Sequence, residues 1–222
     1  MASQLAQRRP LPRFLCLGWL LCLLPATARA EAPQSTYRVV DAMPTFWRYW
    51  EQAQGLEQAE QIRLFREQVV AAHPELYTAQ VLGLDDTQPF DAELARRYPK
   101  YFQWASPHFG TMRRLSEELR QKLPHYEARF RREFPDLNYT GEIYFLNSLG
   151  AFDGGTRKVK GRTALLFGVD VIAAIYGAKA DLEPFFDHEL FHTYHHQLAD
   201  SGAEDTVAAG LWREGLATYV AQ

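Results

Sequence analysis

Cysteine is nearly missing from this sequence: it occurs twice, at Cys16 and Cys22, and nowhere beyond. Residues 31–222 therefore have no disulfide to brace them and no thiol to serve as nucleophile or zinc ligand. Long apolar runs are missing too. The stretch from Phe14 to Leu24 covers 11 residues, well short of the roughly 20 that a helix needs to cross a bilayer. No internal repeat or low-complexity tract occurs. Excess positive charge is the last absence. Four of the 24 basic residues precede Glu31 and no acidic ones do, which leaves 20 (24 less 4) against 27 acidic residues, a net charge of −7. Without a basic stripe interleaved with aromatics, a nucleic-acid partner is excluded.

Residues 1–30 have the layout of a secretory signal peptide. Arg8, Arg9 and Arg13 make a basic start, the apolar run follows, Pro25 breaks it, and Ala28-Arg29-Ala30 forms a small-x-small cleavage site before Glu31. The expected location is exported, periplasmic or secreted, with no stable membrane insertion once the leader is removed. Trp19-Leu20-Leu21 lacks the small residues that lipidation at Cys22 would want. The whole sequence of 222 residues is 47% hydrophobic and 23% charged, with 5 Trp, 11 Tyr and 14 Phe. That balance suits a globular protein with a well-filled core.

The spacing predicts an α+β protein, mainly helical, with a helical region over 31–140 and a second region over 141–222. Residues 31–40 read as an irregular lead-in. Phe46, Trp47, Trp50, Ile62, Phe65, Val69 and Val70 recur at helical spacing over 44–73, with an interruption at Gly55. Helical spacing returns over 91–98 and 106–134, where Pro124 is expected to separate two helices. The charges at Arg129, Arg131, Arg132 and Glu133 read as a solvated face. Ile143–Leu146 and Thr163–Val169 read as strands, with Gly150, Gly154 and Gly155 marking turns. Arg157, Lys158, Lys160 and Arg162 read as a wet hairpin tip, and a short helix or turn is expected over 170–177. Asp181 is a plausible N-cap for a helix running to about Ala199, and a second helix should start near Asp205-Thr206.

The first of these two helices carries His188-Glu189-Leu190-Phe191-His192, an H-E-x-x-H pattern. Histidines four apart share a helix face, so their imidazoles can converge on one cation. Glu189 follows one of them directly and can lean over the open side of the ion to take a proton from water. Zinc that keeps one position open needs a third protein ligand. His195 lies about 10 Å along the axis from His188, too far to share an ion, and neither it nor His196 is the choice. A glycine turn with a further histidine is excluded, because His195 and Leu198 stand at those positions. Glu214, on the second helix with 21 residues between it and His192, is the better candidate once that helix folds back. Gly215 is expected to let the two helices approach closely. Thr218, four residues on, is either a partner for a ligating imidazole or a plain helix-face hydroxyl. Asp187 is expected to cap or to face solvent.

His188-Glu189-x-x-His192 followed by Trp212-x-Glu214-Gly215-Leu216-Ala217 resembles the gluzincin group of zinc metallopeptidases. The W-x-E-G-x-A segment is most similar to the third-ligand helix of aminopeptidase N-like families, and the set also resembles bacterial predicted Zn-dependent proteases. The resemblance runs from about Gly161 to Gln222. It implies a zincin-like core holding Zn2+ on His188, His192 and Glu214. It also implies Glu189 as general base and later acid, and a peptide or protein substrate paired with the Thr163–Val169 strand. The ligand interval is longer than in the aminopeptidases, and no G-x-M-E-N-type exopeptidase segment occurs. Such families supply a stabilising Tyr or His downstream, so a truncated core is expected, with Tyr176, Tyr194 and Tyr219 as the tyrosines left for that role. Two other readings stay open: a non-catalytic exported zinc-binding or assembly protein with the same core, and a helical binding module in which the motif is accidental.

Overall fold

The computed structural model describes residues 37–198 and 206–222; the expected leader and the link from Ala199 to Asp205 lie outside them. The chain begins with β1 (Arg38–Asp41), α1 (Met43–Ala53) and α2 (Gln58–Phe65), which runs on into a wider turn over Arg66–Val70. Then come the short α3 (Ala79–Leu82), α4 (Phe90–Ala105) and α5 (Phe109–Glu133). The strands β2 (Glu142–Leu146), β3 (Gly154–Val159) and β4 (Arg162–Gly168) follow. The last elements are α6 (Val169–Tyr176), α7 (Leu182–Leu198) and α8 (Val207–Val220). The protein is mainly helical, with one small mixed sheet. No helix among the described residues is long and apolar enough to cross a membrane.

The sheet order is β1-β2-β4-β3, with β1, β2 and β4 parallel and β3 antiparallel to β4. The two central strands are apolar on both faces because both faces are covered: Ile143 to Leu146 and Ala164 to Gly168 are all buried. β1 corrects the irregular lead-in expected over 31–40. Four residues are too few to show a period, but Val39 and Val40 are β-branched and pair with Ile143 and Tyr144. The helical region thus contributes a strand to the same sheet as the second region, and one hydrophobic core runs from Ala42 to Ala217.

Two further expectations are corrected. Pro124 does not divide a helix but lies inside α5. Proline removes its own N–H and frees the carbonyl four residues back. Here Pro124 and Arg120 lie on the exposed side of α5, while Leu119, Tyr126 and Phe130 hold the helix to the core on both sides of the proline. Gly154 and Gly155 are not turn residues but begin β3. The turn is Lys160-Gly161, both with positive φ (50° and 75°), as a two-residue hairpin requires. The basic cluster expected at a hairpin tip lies around this turn, with Lys158, Lys160 and Arg162 exposed and Arg157 half-buried further down β3.

α7 sits against both the sheet and α5. Phe145 stacks on Phe167 at 4.8 Å, Phe167 faces Phe186 of α7 at 6.3 Å, and Phe186 meets Tyr126 of α5 at 6.0 Å. That aromatic ladder fixes the helix that carries the motif.

Candidate metal centre

α7 starts where expected: the Asp181 carboxylate accepts the Glu183 backbone N–H at 3.1 Å, filling one of the free donors of the first turn. One turn in, Asp187 departs from its expected capping or surface role. It is 3% exposed and ion-paired with Arg129 of α5, whose Nε also lies 2.8 Å from Glu183 Oε1. Arg129 is accordingly not part of a solvated face. It clamps the residue before His188 to the neighbouring helix.

His188 and His192 lie one turn apart on α7, with their Nε2 atoms 3.2 Å apart. α8 starts at its own cap, Thr206, whose hydroxyl accepts the Ala209 N–H at 3.1 Å. Packed on α7, it brings Glu214 to the same point. Glu214 Oε2 is 3.2 Å from His188 Nε2 and Oε1 is 3.4 Å from His192 Nε2. One ligand atom from each of the three residues lies within 4.8 Å of the other two. With metal–nitrogen bonds of about 2.0–2.1 Å, the corners of a tetrahedron around zinc are about 3.3 Å apart. The two imidazole nitrogens lie near that length from each other, and each lies near it from a different oxygen of Glu214, so the three side chains converge on one point. The donor set also suits zinc: two imidazoles and a carboxylate. Burial holds the His192 imidazole below its usual pKa, with Glu214 opposing and His188 reinforcing, which favours the neutral form that can ligate.

Glu189 lines the same cavity, of about 1010 Å³. Burial pushes its carboxyl from 4.5 up to about 7, with Asp153 and Glu214 adding to the shift and Arg157 opposing it. A carboxyl so placed can take and return a proton near neutral pH. Gly154, the first residue of β3, lets it sit there: a side chain at 154 would collide with the Glu189 carboxyl.

Several expectations about neighbours are settled by geometry. Gly215 does not serve a close helix approach, since a Cβ there would meet nothing within 4 Å. The buried contact of α8 is Ala217, two residues on and about 200° around the helix. Trp212 is 67% exposed. Thr218 lines the cavity with no hydrogen bond to either imidazole. His195 stacks on Phe191, and His196 lines the cavity outside the group of three. Of the three tyrosines, Tyr176 lines the cavity, Tyr194 donates to Asp136 at 3.0 Å, and Tyr219 is 75% exposed. The strand expected to pair with substrate, Thr163–Val169, corresponds to β4, which lies between β2 and β3. Its backbone is already used; the edge strand beside α7 is β3.

Sequence reasoning missed the wall of the cavity formed by Asp153 and, on β3, by Gly154, Gly155, Thr156 and Arg157. It also missed Asp170, which is 1% exposed and shapes the loop leading into that wall. Asp170 accepts the backbone N–H groups of Ser148 at 2.7 Å and Gly150 at 2.8 Å. An acidic residue inside the otherwise apolar Val169–Tyr176 segment was the available signal. Compared with known proteins, the chain matches no family model, no curated protein and no solved structure.

Proposed function

We propose that the protein is an exported zinc-dependent peptidase with a zincin-like core, of the gluzincin type. The observation that carries this reading is the convergence of His188, His192 and Glu214, one ligand atom from each within 4.8 Å of the others, beside the buried carboxyl of Glu189. His188, His192 and Glu214 would hold the ion, and all three line the cavity. Bound zinc supplies a Lewis acid that lowers the pKa of water toward ~7 and polarises a scissile carbonyl. Glu189 accepts the proton of the attacking water on its carboxylate and returns it to the leaving nitrogen. The outer edge of β3 has no strand partner among the described residues, so an extended peptide can add there as a further strand running past Glu189.

The test is metal content and peptide cleavage by the protein and two variants. Glu189→Gln keeps its zinc and loses hydrolysis, by a factor of about 100 or more. Glu214→Ala loses zinc, with affinity lower by at least ~100-fold. A Glu189→Gln variant that cleaves peptides at the parent rate overturns the assignment of the base. A parent protein that holds one zinc and leaves a broad peptide library intact is a non-catalytic zinc-binding protein instead.

A further inference from the structure

The cavity around the candidate zinc site has two half-buried arginines in its walls, and they come from different elements. Arg157 stands on β3 and Arg213 on α8, one residue before Glu214. Arg157 is held in place. Its guanidinium lies 4.9 Å over the Phe152 ring and its Nη1 donates to the Thr156 carbonyl at 3.1 Å. Those contacts use one N–H and one face of a group with five donors, and among the described residues no carboxylate forms an ion pair with it.

The acids in the same walls are Asp153, Glu189 and Glu214. Glu214 belongs to the ligand set and Glu189 to proton transfer. Asp153 already accepts the Gly154 backbone N–H at 2.9 Å. Arg157 therefore turns toward the cavity a guanidinium with unused N–H donors, a fork that matches a carboxylate.

We infer that the cleft selects peptides with an aspartate or glutamate side chain next to the scissile bond, and that Arg157 on β3 determines this preference. The inference rests on the peptidase reading, since it assumes a peptide lying along β3. It extends that reading by naming the substrate class.

The experiment measures binding, so that it does not depend on turnover. Zinc-loaded Glu189→Gln protein is titrated with an alanine-based peptide carrying one central glutamate and with its glutamine counterpart. The glutamate peptide binds about tenfold tighter, the worth of one charge-assisted hydrogen bond, and the ratio shrinks as salt is added. Adding Arg157→Gln, which keeps the stem over Phe152, brings the ratio close to one. Equal affinities, no binding of either peptide, or a preference that survives Arg157→Gln overturns the inference. Failure of the peptidase reading has a different signature: the parent protein cleaves neither peptide, while the binding preference stands or falls separately.

Discussion

Gly154 and Glu189 share a contact that leaves no room for a β-carbon: any side chain on the first residue of β3 would occupy the space of the Glu189 carboxyl. Since the obstructing atoms are the end of a flexible side chain, the backbone need not move. Gly154→Ala should therefore change the thermal midpoint little and leave zinc content intact. It should lower peptide hydrolysis by about 100-fold, the scale of an ångström's displacement of a reacting group. Steady-state rates beside metal analysis check this. A rate within about twofold of the parent means that Glu189 is placed by something other than this contact.

The raised Glu189 pKa has a consequence for stability. Below pH 4.5, its ordinary value, the group is protonated in both folded and unfolded chains, and Glu and Gln are nearly equivalent. As pH rises toward about 7, the value in the folded chain, the unfolded chain ionises freely while the folded chain holds its proton. Stability present at low pH is lost through that window. Metal-free Glu189→Gln should thus gain on the metal-free parent as pH rises from 4.5 to 7 and hold a constant lead above it. Thermal midpoints of chelator-treated proteins at about pH 4 and about pH 8 test the sign. An equal difference at both values rules out the buried-carboxyl account.

Arg129 and Asp187 form the clamp between α5 and α7. Asp187 is almost fully buried at the side chain and Arg129 is 33% exposed, so removing the cation leaves an enclosed carboxylate with partial access to water. Arg129→Met should destabilise by about 2 kcal/mol, less than the cost of breaking a fully buried pair because of that access. It should also weaken zinc binding, since Asp187 precedes His188. Urea midpoints report the first effect and competitive metal titration the second. Adding Asp187→Asn should restore part of the lost stability; if it adds a further full loss, the pair is not coupled.

What could be read from the sequence follows the range of the interactions involved. The α7 start at Asp181 and the His188–His192 pair depend on neighbours within one turn of helix, and spacing alone reveals them. The core aromatics of α1 and α2, such as Phe46 and Phe65, were legible for the same reason. β1 and β3 were not. β1 gains its partner from far along the chain, whereas β3 pairs with the adjacent β4 but opens with Gly154-Gly155, which has the composition of a turn while pairing with Phe167 and Leu166. Pro124 misled because whether a proline ends a helix depends on how the turns on either side of it pack, here through Leu119, Tyr126 and Phe130, which no local pattern records. For Gly215, position on the wheel relative to Ala217 decided the outcome, and that needs the packing partner. Arg129 was misjudged because its carboxylate, Asp187, lies on another helix.

The Arg38 side chain donates to Glu142, 104 residues further along, at the place where β1 joins β2. A ribosome must therefore release most of the polypeptide before the first strand can find its neighbour, and closing so large a loop makes folding slow. Residues 141–222 expressed alone would contain every side chain of the proposed catalytic centre and still lack one rail of its sheet. The proposed hydrolysis would depend on nearly all of the described residues, not on a transplantable cassette around the histidines.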